Sequence, residues 1–321
     1  MRAAVVERYG PPEVVEIREV PKPVPVDDEI LVRIRATTVN SGDARVRGLR
    51  VPRGMALMMR FALGFSGPKQ KVLGFEGAGE VESVGARVTG FRPGDRVLAS
   101  HGFKFGLHAE YATFKESDAI TRIPDGLSYE EAVAIPFGAA TALFFFKEGN
   151  LKAGESLLVN GASGAVGVQA VQLGKHLGAE VTGVCSARNA ELVRSLGADH
   201  VIAYDREDFT RNGKTYDVIM DTHGNAPYAR VKASLAPTGR FLMVIGDLWQ
   251  MIAGRFIRQV VPGEDNGTAI SAEVYARLLD LAVKGTIRPV IDKVYRFDEI
   301  VEAHRRVDGG HKVGSVVVTL G

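Results

Sequence analysis

The stretch Ser156–Lys175, SLLVNGASGAVGVQAVQLGK, decides the fold. Its first residues form the apolar run of a buried strand, and residues 165–175 carry helical spacing. Gly161, Gly164 and Gly167 stand three apart in the turn between them. In such a turn one glycine makes the bend, a second lets backbone N–H groups approach a phosphate, and a third lets helix and strand pack closely. The spacing is GxxGxxG, a variant of GxGxxG, and it reads either as a dinucleotide site or as a tight structural corner. Its place at the first strand-to-helix turn of an alternating run favours the dinucleotide. Ser163, Gly164, Ala165, Val166 and Gly167 would then present the helix start to the anion.

Outward from this turn, strands and helices alternate. SLLVNGA, EVTGVC, HVIAY, YDVIMD and GRFLMVIG are strand-like; GAVGVQAVQLGKHLG, NAELVRSLG and YARVKASLA are helix-like and lie between them. That rhythm predicts an α/β protein with a doubly wound, mostly parallel sheet. Upstream, residues 1–120 show short Val/Ile-rich alternating runs separated by Gly/Pro turns. No helix of ordinary length fits there, so a small barrel or strongly curved sheet is expected. Ser128 and Glu131 form a capping box that opens a helical run, which Pro136 interrupts. The chain is long for one core. The expected division is residues 1–125, completed by about 288–321 through the returning strand GSVVVTL, and residues 126–287.

A formal net charge of +2 gives no electrostatic argument for nucleic acid, and no basic run is interleaved with aromatics. Cys185 is the only cysteine, so no intramolecular disulfide or cysteine metal cluster can form, which fits a reducing, cytoplasmic setting. The apolar runs MALMM and ALFFF are too short to cross a bilayer, and no integral membrane segment is expected. GFSGP lacks the second glycine of a serine-hydrolase elbow, and Gly174-Lys175 falls inside a helix rather than in a P-loop.

The second strand selects the dinucleotide. An acidic residue about 20 positions beyond the glycine turn would bind the ribose hydroxyls of NAD. Here the strand runs into Cys185-Ser186-Ala187-Arg188, with no acid. Ser186 can donate to a phosphate oxygen and Arg188 offers a planar cationic fork, which suits the 2′-phosphate of NADPH. The plainer reading is that Arg188 solvates a helix start, and NADPH is the preferred assignment.

A β-rich first segment, a linking helix and a dinucleotide segment opened by GASGxVG resemble the medium-chain dehydrogenase/reductase superfamily over essentially the whole chain. The zinc-free quinone oxidoreductase branch is the most similar, on TTVNSGDARVRG, LGFEGAGEVESVG, FRPGDRV, VTGVCSARNAELVRSLGADHVIAYDREDF and HKVGSVVV. The resemblance implies a Rossmann-type domain plus a GroES-like β-rich barrel domain, and a homodimer paired through a strand near RFIRQVV. Alcohol-dehydrogenase members hold a catalytic zinc with a cysteine near TTVNSGD and a histidine in a Gly-His-Glu run. This chain has Thr38-Val39-Asn40 and Gly74-Phe75-Glu76 there, so no zinc site is expected. His304 and His311 lack partner ligands and read as solvated or capping residues.

Hydride transfer without a metal suits acceptors that are already electron-poor, so the expected substrate is a small hydrophobic electrophile, a quinone or an α,β-unsaturated carbonyl. A 2-enoyl thioester reductase and a non-catalytic NADPH-binding sensor or structural protein are the alternatives. By resemblance, Asn40 lies near the nicotinamide ribose and the substrate oxygen, Thr141 against the carboxamide, and Lys312 on the cofactor side. Each has a plainer reading: Asn40 as a strand-end turn residue, Thr141 bonding back to its own helix turn, Lys312 as a solvated lysine. Tyr204 could pack near the adenosine phosphate or at a core edge. His223 could line the cleft or sit exposed in its loop. Quinone-reducing members often carry a tyrosine shortly after the Asn; here Asp43-Ala44-Arg45 follows, which leaves simple-quinone activity open. Arg45–Lys71 has seven Lys/Arg and no acid around GMALMMRFALGF. It reads as a lid, as a membrane-surface contact, or as a loop partly buried against the second domain.

Overall fold

The computed structural model describes residues 1–51, 55–263 and 270–321. Its centre is a six-stranded sheet with spatial order His200–Ala203, Glu180–Cys185, Ser156–Asn160, Tyr216–Asp221, Leu235–Met243, Val260–Pro262. Every neighbouring pair is parallel. The two strands that follow the glycine turn, Glu180–Cys185 and His200–Ala203, lie on one side of Ser156–Asn160 and the three later ones on the other. This is the doubly wound arrangement, and it opens a crevice at the carboxyl ends of the central strands. The helix Ala165–His176 covers this centre, with Val168, Ala170, Val171 and Leu173 buried. YARVKASLA gives only Tyr228–Val231 and a short 3-10 turn, because the strand Leu235–Met243 begins before the run ends.

The β-rich part is a seven-stranded sheet built on the long strand Glu29–Val39. Register shifts at Leu31/Val32 and Ile34/Ala36 bend that strand, so that one end pairs with Tyr111–Lys115 and the other with Ser315–Thr319. The final strand therefore lies on the N-terminal sheet. The fold is the mixed α/β architecture expected, with a parallel Rossmann-type sheet beside a β-rich GroES-like domain.

The N-terminal part does contain helices, against expectation: Ser41–Gly48 and Ala56–Leu63, each eight residues. The first is set by a capping box between Asn40 and Asp43. The acid there is Asp rather than Glu or Gln, so the usual signature misses it. In Ala56–Leu63 no described side chain is buried, and Leu57, Met58 and Phe61 are exposed. This part of the basic stretch is not a loop buried against the other domain; Pro52, Arg53 and Gly54 lie outside the described residues.

Ser128 and Glu131 exchange both capping hydrogen bonds, and Pro136 opens a second helix, Pro136–Glu148. The stretch Tyr129–Glu148 reaches membrane-crossing length and hydropathy, which the shorter runs did not suggest, yet most of it is buried in the core. Gly138 lets this linking helix press on the start of the glycine helix: a Cβ there would sit 2.1 Å from the Ala165 carbonyl oxygen.

Candidate active site

A cleft of about 520 Å³ lies at the carboxyl ends of the central parallel strands, a volume suited to an extended small ligand. Gly161, Ser163, Gly164, Ala165 and Val166 form its floor; Ser186, Arg188 and Tyr204 line one end; Ser41, Arg45, Phe137, His311 and Lys312 come from the other elements. Nine of the ten residues expected at the cofactor line it, the exception being Gly167.

The three glycines have separable physical roles. Gly161 has φ +85°, which side chains rarely adopt. Gly164 caps the helix with extended backbone, and no side chain bonds that helix start. A methyl added to Gly164 would meet only the Gly161 carbonyl oxygen, at 3.5 Å, among the described residues. Gly167 is the packing glycine: its Cβ would lie 2.1 Å from that same oxygen. An uncapped helix N-terminus with an open approach is an anion cradle.

The ends of the cleft are cationic or hydrogen-bond donating. The Ser186 hydroxyl is buried without a partner among the described residues. Arg188 is exposed and makes no ion pair among them, and Tyr204 is exposed rather than core-edge. Lys312 is half-buried rather than fully solvated: its Nζ donates to the Gly314 carbonyl at 2.7 Å, and burial lowers its pKa to about 8. Gly314 N–H in turn donates to the Ser163 carbonyl at 2.9 Å, which ties this segment across the glycine turn. His223 is both exposed and cleft-lining. Among the described residues no carboxylate lines the cleft.

Sequence reasoning missed the group that shapes the far wall. Asp221 accepts the N–H groups of His223, Gly224 and Ala226 together with Asn160 Nδ2, and so fixes the Thr222–Ala226 loop. The Asp-x-His-Gly run is a turn signal that marks it. Cys185 also lines the cleft, but burial pushes its thiol up to about 11, so it stays protonated and inert.

Neither residue expected to be catalytic lines the cleft itself. Thr141 Oγ1 donates to the Phe137 carbonyl at 2.6 Å, the bond back to its own turn, so only its lone pairs remain to accept. Asn40 is 3 % exposed and sits one residue from cleft-lining Ser41. Its Oδ1 accepts from Gly42 and Asp43 N–H at 2.8 and 3.1 Å, which fixes the amide orientation and leaves Nδ2 as a buried donor with no partner among the described residues.

At the position of the metal-binding stretches the residues do not suit zinc. Phe75 packs edge-to-face on Phe103, Phe105 and Phe137. Glu76 is buried, accepts from Thr38 Oγ1 at 3.1 Å, and is pushed up to about 8 by that burial. With Phe75 where the histidine ligand would stand and no cysteine in Thr38-Val39-Asn40, Glu76 alone cannot complete a tetrahedral zinc site. His304 is corrected as well: it is fully buried rather than solvated or capping, its ring stacks edge-on to His108 at 5.7 Å, and burial holds its pKa well below the ordinary value. His311 is exposed, as expected of a solvated residue.

A doubly wound sheet with an anion-cradling glycine turn, joined to a GroES-like domain across a cleft, defines a nicotinamide-dependent oxidoreductase. Residues 26–125 match the family model described as alcohol dehydrogenase GroES-like domain, and residues 196–318 the one described as zinc-binding dehydrogenase. The chain is 30% identical to a quinone oxidoreductase of Pseudomonas aeruginosa over 97% of each chain. It is 29% identical to an acryloyl-coenzyme A reductase of Metallosphaera sedula, covering 99% of this chain and 100% of that one. The solved quinone oxidoreductase of Coxiella burnetii superposes with a TM-score of 0.87 at 25% identity, over 100% of this chain and 99% of that one. The chain belongs to the medium-chain dehydrogenase/reductase superfamily, in its quinone oxidoreductase-like branch.

Proposed function

We propose that the protein is a zinc-independent reductase that transfers hydride from NADPH to a quinone or an α,β-unsaturated carbonyl. The observation that carries this reading is the cleft: a glycine turn, the unpartnered Ser186 hydroxyl and Arg188, with no carboxylate among the described residues to prefer the bare ribose of NADH. Gly161, Ser163, Gly164, Ala165 and Val166 would hold the pyrophosphate, with Gly167 keeping the helix in place. Ser186 and Arg188 would take the 2′-phosphate, Tyr204 the adenosine side and Lys312 the pyrophosphate flank.

When bound, a reduced nicotinamide supplies a hydride to the electrophilic carbon and leaves oxidised, while water supplies the proton that completes reduction. The protein's own part is positioning and polarisation. Thr141 Oγ1 would accept from the carboxamide N–H, orienting the ring. Asn40 Nδ2, held as a free donor by its capping bonds, would stabilise negative charge on the acceptor oxygen. The Phe75/Phe137 wall would exclude water and favour hydrophobic acceptors.

Domain limits of 1–125 with about 288–321, and 126–287, fit this division of labour. A homodimer through the edge strand Val260–Pro262 and a reducing, cytoplasmic setting complete the proposal. The test is NADPH oxidation followed by its absorbance with 1,4-benzoquinone and methyl vinyl ketone, with and without a zinc chelator. Turnover that prefers NADPH and survives chelation is expected; chelator-sensitive turnover, or none with any acceptor, overturns the reading. Asn40→Ser, which keeps a good N-cap but loses the donor, should lower kcat about tenfold or more.

A further inference from the structure

Three cations face the cleft, and two have evident tasks. Arg188 stands with Ser186 beyond the second strand, and Lys312 lies against the glycine turn. The third, Arg45, comes from the helix Ser41–Gly48 and lines the cleft beside Phe137, Val307, Gly310 and His311. Its guanidinium makes no hydrogen bond or ion pair among the described residues, and burial lowers its pKa. The nearby acids are committed elsewhere. Asp308 is shared by Arg47 and Arg50 at 2.6 Å each, Asp292 is gripped by Arg306, and Asp43 is buried on the N–H groups of Asn40 and Gly74. Arg45 is half-buried at the cleft, so its guanidinium donors are left free for a ligand anion.

We propose that Arg45 is a specificity residue that binds an anionic group, carboxylate or phosphate, carried by the acceptor. This rests on the reductase reading and narrows it: the preferred electrophile is a charged enone or an enoyl thioester on a phosphate-bearing carrier, rather than a neutral quinone. Arg45 offers two parallel donors to either oxyanion. Arg45 and Phe137 line the same cleft, so the cation and the aromatic wall that would seat the reacting carbons face one ligand space.

The experiment uses matched acceptors with NADPH: 4-oxo-2-pentenoate against its methyl ester, and crotonyl-coenzyme A against the crotonyl thioester of N-acetylcysteamine. Wild type should favour the charged member of at least one pair. Arg45→Leu should raise KM for that member about tenfold or more, leave the neutral member nearly unchanged, and leave NADPH affinity intact. Arg45→Lys should recover part of the preference. A split in the first pair identifies a carboxylate near the reacting carbons; a split in the second identifies the carrier phosphates.

Equal losses on charged and neutral acceptors overturn the proposal, as does weakened NADPH binding, which would assign Arg45 to the cofactor. Calorimetric binding of the saturated 4-oxopentanoate and its methyl ester to wild type and Arg45→Leu, in the presence of NADP, reads the same charge without turnover. A carboxylate preference there that depends on Arg45, in a protein without reductase activity, would sustain this inference and sink the reductase reading. Reductase activity with no charge preference in either measurement would do the reverse.

Discussion

Gly164 and Gly167 look alike in the sequence, but the structure predicts opposite failures when each is replaced by alanine. At Gly167 the new Cβ would meet the Gly161 carbonyl oxygen at 2.1 Å, Ala162 Cα at 2.7 Å and Ala162 C at 2.8 Å. All three are backbone atoms, so no flexible side chain can yield. Restoring ordinary contact means moving helix from strand by roughly 1 Å, an overpacking cost at the upper end of the usual range, about 3 kcal/mol. For a chain of this size that lowers Tm by roughly 4–5 °C. At Gly164 the φ of −79° suits alanine, and the nearest atom is 3.5 Å away. Losing a glycine cap and losing chain entropy in the unfolded state nearly cancel, leaving stability within about 1 kcal/mol. The methyl instead projects where a phosphate must approach backbone N–H groups, and each charge-assisted bond lost is worth about 1.5 kcal/mol or more. Gly164→Ala should therefore keep its Tm and lose NADPH affinity about tenfold or more, read by differential scanning fluorimetry and by fluorescence titration. A Gly164→Ala variant that binds NADPH normally, or a Gly167→Ala variant as stable as wild type, would refute the division of roles.

Arg188→Ala should weaken NADPH about tenfold while changing NADH little, and equal losses would remove the 2′-phosphate assignment. Lys312, lowered to about 8, is charged below that pH and neutral above it, so NADPH affinity should fall as pH rises through about 8; a Kd that stays flat across that transition contradicts this, and Lys312→Met should abolish the slope. Glu76 keeps its proton in the folded state up to about 8 but loses it near 4.5 when unfolded, so the native state binds more protons between those values and stability declines as pH rises through the window. Glu76→Gln should flatten that decline, a difference reaching a few kcal/mol by about pH 8 in urea titrations; parallel curves would show that Glu76 is ionised after all. Trp249, Ile252 and Phe256 are exposed beside the edge strand Val260–Pro262; Phe256→Glu should shift a dimer toward monomer in light scattering, and an unchanged mass would place the interface elsewhere.

The parallel sheet was legible because its signals are local. Each strand is a short apolar run bounded by glycine or a polar turn, and the glycine spacing carries its own mechanism. The capping box at Ser128 and Glu131 was legible for the same reason. What escaped depends on distant segments meeting. His304 lies in an amphipathic helix, and only the packing of His108 and Arg47 against it reveals a buried ring. Glu76 reads in sequence as the remnant of a metal motif; its neutrality comes from burial, helped by the nearby Asp43 charge, and prevails over the Thr38 hydroxyl and Phe137 backbone bonds that favour the ionised form. Arg45 looks like one more charge in a basic stretch. Its isolation follows from how Asp308 and Asp292 are taken by other arginines.

These non-local features bear on one electrostatic question. On the proposed chemistry, hydride arrival leaves negative charge on the acceptor oxygen, and any fixed carboxylate nearby would oppose it. Among the described residues, Glu76 and Asp43 are the buried acids nearest Phe75 in the chain, while Asp221 is turned onto the N–H groups of its own loop. Glu76 is held neutral up to about 8, and burial likewise raises the pKa of Asp43, whose oxygens are turned onto the Asn40 and Gly74 N–H groups. Asp43 also acts at a distance, since its bond to the Asn40 N–H is half of the box that leaves Nδ2 free to donate. Where metal-dependent members would polarise the oxygen with zinc, the proposed reading would have Asn40 Nδ2 donate to it beside the Phe75/Phe137 wall. Such a site would stabilise charge less strongly than a divalent ion, and on that proposal it would suffice only for an acceptor whose own conjugation already draws electrons from the carbon that takes the hydride.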